Sequence, residues 1–187
     1  MKILLHICCA SCAIYIQSRL KDKAIETAGF FYNPNIQPSS EYALRKESVM
    51  KLSVNNNIEI VCPPYDIGEY FSNIEDFDDE SARCSKCWYL RMKKTAGFAK
   101  DNGFDGFTTT LLISPYQDHE TIKDICVKLA GEYGIDFYYE DFRSGFRQSH
   151  TQARENGFYM QKYCGCIFSE FSRYKSKLEK EAKKCLR

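Results

Sequence analysis

Five short apolar or β-branched runs alternate with five stretches of helical periodicity, and this alternation limits the fold more than any other feature. The runs are typical of buried strands and cover Ile3–Ile7, Ala28–Tyr32, Ile58–Val61, Phe107–Leu112 and Ile135–Tyr139. The helical stretches fall near residues 12–23, 40–54, 86–101, 118–133 and 169–185. The alternation predicts an α/β fold: a mostly parallel five-stranded sheet with helices on both faces and a helical C-terminal extension.

The 187 residues contain no repeat, low-complexity tract or linker, so we expect a single domain over residues 1–187. No basic start followed by a longer apolar segment marks a leader, and no apolar run approaches the ~20 residues that cross a bilayer. These features predict a soluble, cytoplasmic protein that does not act on a membrane.

A binding site is expected where the strands end, because ligands of open α/β sheets bind outside the carboxyl ends of the strands. The residues at these ends are Cys8, Cys9 and Cys12, then Asn33 and Pro34, Tyr65 and Asp66, Ser114 to Gln117, and Asp141 to Arg143. Two adjoining helices have predicted N-caps, at Asp118 and at Ser39 or Ser40. No glycine-rich phosphate-binding motif occurs in the sequence, which gives ATP or NAD binding little support.

Seven of the ten cysteines fall in three tight groups, Cys8/Cys9/Cys12, Cys84/Cys87 and Cys164/Cys166. In a reducing cytosol such groups indicate metal binding or redox chemistry and not a disulfide framework. The other three stand alone. Cys126 belongs to the apolar stripe of a predicted helix, Cys62 is interpreted as packing, and Cys185 as core or surface.

Three kinds of site are open to the seven clustered thiols. Four cysteines can hold a 4Fe-4S cluster, which leaves three for a second metal or for thiol chemistry. A structural zinc takes four ligands, usually from paired Cys-x-x-Cys knuckles, and Cys-Cys-x-x-Cys and Cys-x-Cys fit that pattern poorly. The third alternative is a metal-free dithiol or structural role. The spacing favours the iron–sulfur site, at a helix N-terminus that stabilises thiolate charge.

The formal net charge of +1 hides an asymmetry along the chain. Residues 143–187 contain eleven Lys or Arg against four Glu, which gives +7, so residues 1–142 carry −6. This basic C-terminal segment fits either a nucleic-acid footprint or the solvated face of a helix.

Six motifs in order cover nearly the whole chain: "LLHICCASC", "FYNPNIQPSSEYALRKE", "RCSKCWYLRM", "GFDGFTTTLLISPYQDHE", "FYYEDFR" and "YMQKYCGCIFSE". Through them the chain resembles the QueH-type epoxyqueuosine reductases, enzymes of tRNA modification. One small departure is Ala10-Ser11 between the cysteines, where most members have Ala-Pro.

The resemblance implies a HUP-like, Rossmann-like α/β domain related to the PP-loop ATPases, with cysteines in place of the phosphate loop. It implies cobalamin-independent removal of the epoxide oxygen of epoxyqueuosine at the tRNA wobble position, yielding queuosine. The implied cofactors are a 4Fe-4S cluster and an adjacent mononuclear iron. The electrons are expected from an external low-potential donor. The implied ligands are Cys8, Cys9, Cys12, Cys84, Cys87, Cys164 and Cys166.

Turning an epoxide into an alkene takes two electrons and two protons, and the oxygen leaves as water. We expect Asp66, Tyr116 and His119 to serve in metal ligation or proton delivery, with Asp66 completing the second iron site. The wobble base must be splayed out of the anticodon loop to reach the site. The candidates for contacts with tRNA are Arg45, Arg91, Arg143 and Arg147.

Two other functions stay open. A PP-loop-like iron–sulfur tRNA sulfur transferase would need a serine- and glycine-rich ATP loop where "CCASC" stands. A non-catalytic, zinc-stabilised RNA-binding module would hold one zinc and no iron.

Overall fold

The computed structural model of the protein describes residues 1–74 and 79–185. Its strands are β1 (Lys2–His6), β2 (Glu26–Phe30), β3 (Ile60–Val61), β4 (Gly106–Thr109) and β5 (Asp136–Phe137). They form a parallel five-stranded sheet in the order β3-β2-β1-β4-β5. The predicted α/β fold is confirmed, and all four strand pairings are parallel.

The helices are α1 (Ala10–Asp22), α2 (Ser39–Asn56), α3 (Ile67–Asn73), α4 (Glu80–Asp101), α5 (His119–Tyr133), α6 (Phe146–Glu155) and α7 (Ile167–Cys185). Short 3-10 turns at Thr110–Ile113 and Arg143–Gly145 follow β4 and precede α6. The sequence did not predict α3 and α6. Among the described residues, no helix combines the length and the apolar character that crossing a membrane requires.

The order of the strands decides where a ligand can bind. β1 lies at the centre and pairs with β2 on one side and β4 on the other. Crossovers between parallel strands are right-handed, which in this strand order places α1 and α2 on one face and α4 and α5 on the other. In agreement, α1 contacts α2, α4 contacts α5, and α6 packs on α1. The connections reverse direction at β1 and β4, so the topological switch point lies at the carboxyl ends of these two strands.

The central strand is held by burial on both faces. Ile3, Leu4 and Leu5 are completely buried, and Ile7 continues the run towards the first cysteines. A Cβ on Gly29 of β2 would lie 2.8 Å from Ile7 Cδ1 and 2.9 Å from Ile60 Cγ1, so a larger residue there would displace these two side chains. Cys8, the residue after Ile7, therefore follows a strand end that is tightly packed in the core.

The ends of the helices test two predictions about capping. Asp118 is the N-cap of α5, where its Oδ1 accepts a hydrogen bond from the Thr121 N–H at 3.1 Å, as predicted. The prediction for α2 is wrong, because Pro38 is the N-cap and Ser39 is already the first helical residue. Residues 186 and 187, the end of the basic C-terminal segment, lie outside the described residues.

Candidate metal centre

The first cysteine group lies at the switch point. Cys8 follows β1, Cys9 is the N-cap of α1, and Cys12 lies in the first turn of that helix. The three sulfur atoms lie within 4.8 Å of one another. Cys9 and Cys12 are buried and Cys8 is half-buried, and all ten cysteines of the chain are free thiols. Three such thiols can bind one metal ion together.

Thr110 fixes the position of Cys8 from the neighbouring strand. Its Oγ1 accepts a hydrogen bond from the Cys8 N–H at 3.0 Å and donates one to Cys8 Sγ at 3.2 Å. Thr110 begins the 3-10 turn after β4, so this bridge joins the ends of the two strands that border the switch point.

The three thiols differ in acidity because they share one environment. Hydrogen bonds from Cys12 and Cys9, assisted by Arg91 and Thr110, hold the pKa of Cys8 well below its usual range. Burial raises the pKa of Cys9 to about 12, and the hydrogen bond to Cys8 raises the pKa of Cys12. Cys8 is therefore the most acidic thiol of the group, and metal binding would displace protons from the thiols that it engages.

A cavity of about 60 Å³ opens beside these sulfurs. Pockets for drug-sized molecules measure about 300–1,000 Å³, so this cavity by itself has the size of a small inorganic centre. Ten side chains line it: Cys8, Cys12, Arg45, Arg91, Thr110, Leu111, Ser114, Gln117, Gln161 and Cys164.

The other two cysteine groups lie at or near this cavity. Cys164 lines it, while Cys87 and Cys166 pack with Tyr70 and Ile74 in a small adjoining apolar cluster. Burial raises the pKa of Cys87 to about 12, and burial together with the nearby Cys164 raises that of Cys84 to about 11. Soft thiolate donors in this number fit an iron–sulfur centre or a zinc site.

The backbone conformation between Cys164 and Cys166 depends on the glycine at position 165. Its φ of +140° lies in a region that side chains rarely adopt, and a Cβ there would lie 3.0 Å from Ile36 Cγ1. The Gly165 carbonyl accepts a hydrogen bond from the Gln37 N–H at 2.8 Å. The Cys-Gly-Cys motif therefore depends on glycine for both conformation and space.

Two of the four candidate tRNA-contacting arginines are buried beside the thiols. Arg45 is 1 % exposed and Arg91 is 2 % exposed, and both line the cavity. Arg45 donates to Glu41 Oε1 at 2.8 Å and to the Cys164 carbonyl at 2.9 Å. A role in contacting tRNA stays a prediction for both, and their burial gives it no support.

The other two arginines are exposed. Arg143 forms a two-pronged ion pair with Asp141, in which its Nη2 lies 2.6 Å from Oδ2. This pairing holds the pKa of Asp141 at about 2. Arg147 lies in the first turn of α6 with its side chain in solvent. Both stay predicted tRNA contacts.

The three candidates for metal ligation or proton delivery do not line the cavity. Asp66 is the N-cap of α3, where its carboxylate accepts from the Gly68 N–H at 2.8 Å. Tyr116 is 82 % exposed, two residues after Ser114 on the cavity wall. His119 is buried, with its Nε2 3.3 Å from the Leu112 carbonyl oxygen and 3.7 Å from Asp141 Oδ1. Their predicted roles stay untested.

Two residues of the site, Thr110 and Gln161, had no place in the sequence-based hypothesis, although both contact the cysteine sulfurs directly. Gln117, which the sequence placed after the fourth strand, accepts a hydrogen bond from Trp88 Nε1 at 3.0 Å on the cavity wall. Thr110 follows β4, which is a signal that could have marked it. Gln161 carries no such signal, because it lies in a loop before Cys164.

These features define a class: a Rossmann-like α/β protein in which clustered thiols, able to hold a metal, replace a phosphate-binding loop at the switch point. The family model described as epoxyqueuosine reductase QueH matches residues 3–172. The chain belongs to this QueH family.

Individual relatives agree with the family match, and each is named epoxyqueuosine reductase QueH. The protein of Dehalococcoides mccartyi is 36% identical over 174 residues, which cover 92% of this chain and 94% of the relative. That of Thermotoga maritima is 34% identical over 179 residues, covering 91% of each chain. That of Acinetobacter baylyi is 34% identical over 175 residues, covering 90% of this chain and 80% of the relative.

Proposed function

We propose that this chain is an epoxyqueuosine reductase that acts on tRNA. In the reaction both carbon–oxygen bonds of the epoxide break and a carbon–carbon double bond forms. Two electrons and two protons convert the oxygen into water, and the electrons come from an external low-potential donor. The name shared by the relatives supports this activity.

One observation carries the proposal: three cysteine sulfurs within 4.8 Å of one another at the switch point of the sheet. Ligands of open α/β sheets bind at this point. The residues at this point read "CCASC" and do not form a serine- and glycine-rich ATP loop, which disfavours the ATP-dependent sulfur transferase as an alternative.

The residues that would hold the proposed 4Fe-4S cluster and adjacent iron are Cys8, Cys9, Cys12, Cys84, Cys87, Cys164 and Cys166. When bound, the thiolate-held cluster would supply electrons one at a time. The first contribution of the chain's own residues to holding the cluster is electrostatic. The buried guanidinium of Arg91 lies beside the cavity and offsets the negative charge that several thiolates bring together.

We assign substrate binding and proton delivery to the polar residues at the rim of the cavity. Ser114 and Gln117 offer hydrogen-bonding groups on the cavity wall, and Tyr116 next to them presents an exposed ring and hydroxyl. Tyr116 is the best placed of the three candidate proton donors, because Asp66 caps a helix and His119 is buried. We assign Tyr116 to stacking on the splayed base or to delivering a proton to the departing oxygen.

The proposal is tested with anaerobically purified protein. Iron, acid-labile sulfide and zinc per chain are measured, and the protein is then incubated with dithionite and tRNA that carries epoxyqueuosine. Digestion of the tRNA and mass spectrometry of the nucleosides should show conversion to queuosine. We expect Cys8→Ser to abolish the conversion.

The control is Cys185→Ser, because Cys185 is exposed at the end of α7 and outside the three cysteine groups. It should match the unmodified chain in iron content and turnover. One zinc per chain without sulfide, and no queuosine formed, would refute the reductase and favour the zinc-stabilised RNA-binding module.

A further inference from the structure

The side chain of Gln161 connects two of the cysteine groups. Gln161 lies three residues before Cys164, in the loop after α6, and it lines the cavity. Its Nε2 donates a hydrogen bond to Cys9 Sγ at 3.0 Å and lies 3.8 Å from Cys12 Sγ. An amide from one cysteine segment is therefore directed at the sulfurs of another.

The orientation of this amide is set by its other end. Ser11 Oγ donates a hydrogen bond to Gln161 Oε1 at 2.9 Å, so the carbonyl faces Ser11 and the NH₂ group faces the sulfurs. Ser11 is held in turn, since its carbonyl oxygen accepts from Ser149 Oγ at 2.6 Å. Both serines are completely buried. The donor is thus preorganised by a chain of hydrogen bonds that reaches α6.

We propose that Gln161 is a positioning residue that tunes the reduction potential of the metal centre through an N–H···S hydrogen bond to Cys9. This inference rests on the proposed function, in which Cys9 is a ligand. Hydrogen bonds to the ligand sulfurs contribute to the reduction potential of thiolate-held clusters. A donor stabilises the reduced centre more than the oxidised one, because the reduced centre carries more negative charge. Gln161 therefore raises the reduction potential of the centre, and a higher potential helps an external donor to reduce it.

The alternative is that Gln161 merely holds its loop in place. Other contacts already do this. Arg45 donates to the Tyr163 and Cys164 carbonyls at 3.0 and 2.9 Å, and the Tyr163 hydroxyl donates to the Gln37 carbonyl at 2.6 Å. The loop next to Cys164 is thus anchored without Gln161, and a change in potential separates the two roles.

The test compares Gln161→Leu, which keeps much of the volume and removes the donor, with Gln148→Leu on the exposed face of α6 as control. Midpoint potentials come from redox titrations of the anaerobically purified proteins, followed by electron paramagnetic resonance. We expect Gln161→Leu to shift the reduction equilibrium about tenfold towards the oxidised centre, which is ~59 mV for a one-electron couple. Iron content and melting temperature should stay within error of the control.

A second variant guards against a folding defect. Ser11→Ala keeps the glutamine but frees its amide to rotate, and it also removes the Ser11 hydroxyl that lies 3.3 Å from Cys9 Sγ. The reduction potential should therefore fall, as in Gln161→Leu, but by a smaller amount. If Gln161→Leu and Ser11→Ala both keep their iron and the potential of the unmodified chain, Gln161 does not tune the centre and the inference is wrong.

Failure of the proposed function can be told apart from failure of this inference. If the purified chain holds zinc and no iron, the reductase is refuted, and Gln161 is then tested with cobalt(II) in place of zinc. Removing the donor should shift the sulfur-to-cobalt charge-transfer band to lower energy. A band at the same wavelength in both proteins would overturn the inference.

Discussion

Arg91 brings a positive charge into the interior beside the thiols. Its Nη2 donates to Asn33 Oδ1 at 2.8 Å, while its Nε has no hydrogen-bond partner. No carboxylate within residues 1–74 and 79–185 forms an ion pair with it. A buried charge is costly unless an opposite charge lies near it. The thiolates of the cavity, and the centre they are proposed to hold, supply that opposite charge.

We predict that Arg91→Met separates metal retention from folding. Loss of the counter-charge should weaken retention of the centre about tenfold, which is about 1.4 kcal/mol. The free energy of unfolding of the metal-free protein should stay within about 1 kcal/mol, because the loss of the Asn33 hydrogen bond is offset by removal of a buried charge. Metal analysis during chelator titration and urea unfolding measure the two quantities.

Arg45→Met is the matched comparison for this prediction. Arg45 is paired with the buried Glu41 at 2.8 Å, so its removal leaves an uncompensated carboxylate and should cost about 3–5 kcal/mol even without metal. Full iron content and unchanged retention in Arg91→Met would contradict the counter-charge role.

At the scale of elements, the sequence predicted those that have a clear apolar pattern. The five strands and the helices α1, α2, α4, α5 and α7 lie where the periodicity placed them, with ends displaced by up to six residues. The predicted strand at Phe107–Leu112 ends at Thr109, because the Thr109 hydroxyl accepts from the Leu111 N–H and begins a 3-10 turn. Local side-chain capping of this kind overrides a run of apolar residues.

The two missed helices lack such a pattern. α6 reads "FRQSHTQARE" and packs on α1 through the small buried residues Ser149 and Ala153, so it has no apolar stripe. α3 has seven residues, too few for a periodic signal. A signal was present there nonetheless, because Asp66 followed by Glu69 is typical of a helix N-terminus.

The candidate site likewise has one part that the sequence predicted and one part that it did not. The cysteine groups could be identified from the sequence, because thiols at close spacing are rare and carry chemistry. Their common cavity with Thr110 and Gln161 could not, because these contacts depend on how the loops fold across the sheet edge. The same limit applies to Arg45 and Arg91, which were assigned to tRNA although both guanidiniums are buried.

Glu140 ties the end of α1 to the segment after β5 and gives a prediction about pH. It accepts hydrogen bonds from Arg19 Nε at 2.9 Å and Lys23 Nζ at 2.7 Å. Burial opposes its ionisation, but the hydrogen bonds from Lys23 and Arg19 prevail and hold the pKa of Glu140 below its ordinary value of 4.5. This stabilisation is therefore complete above pH 4.5 and is lost as the pH falls through the lower pKa of the folded state.

We expect Glu140→Gln to lower the free energy of unfolding by about 1 kcal/mol at pH 7 and to make its fall below pH 4.5 shallower. Urea unfolding followed by circular dichroism from pH 7 to pH 3 measures both effects. Glu132→Gln is the control, since Glu132 is 42% exposed and its pairing with Lys128 is long, at 3.8 Å. Equal acid sensitivity in both variants would show that Glu140 does not couple these elements.

Charge is unevenly distributed over the whole molecule. The segment from Arg143 to Arg187 carries +7 within a chain of net charge +1. The longest helix of its described part is α7, which has no buried residue and so exposes its lysines to solvent. A helix with this composition gains little from packing against the core, whereas its charges suit a phosphate backbone.

We predict that α7 contributes to tRNA affinity mainly through counterion release. The logarithm of the association constant should then fall linearly with the logarithm of salt concentration, by about 0.7 to 0.9 per phosphate neutralised. Replacing Lys175, Lys180 and Lys183 by Gln should reduce that slope by about 2 and weaken binding most at low salt. Filter binding of tRNA between 50 and 300 mM salt measures the slope.

The control replaces three exposed lysines on other helices, Lys21, Lys46 and Lys128, and removes the same net charge. If both triple variants reduce the slope equally, the effect belongs to the net charge of the molecule; a flat response of the unmodified chain would remove phosphate binding by this segment altogether.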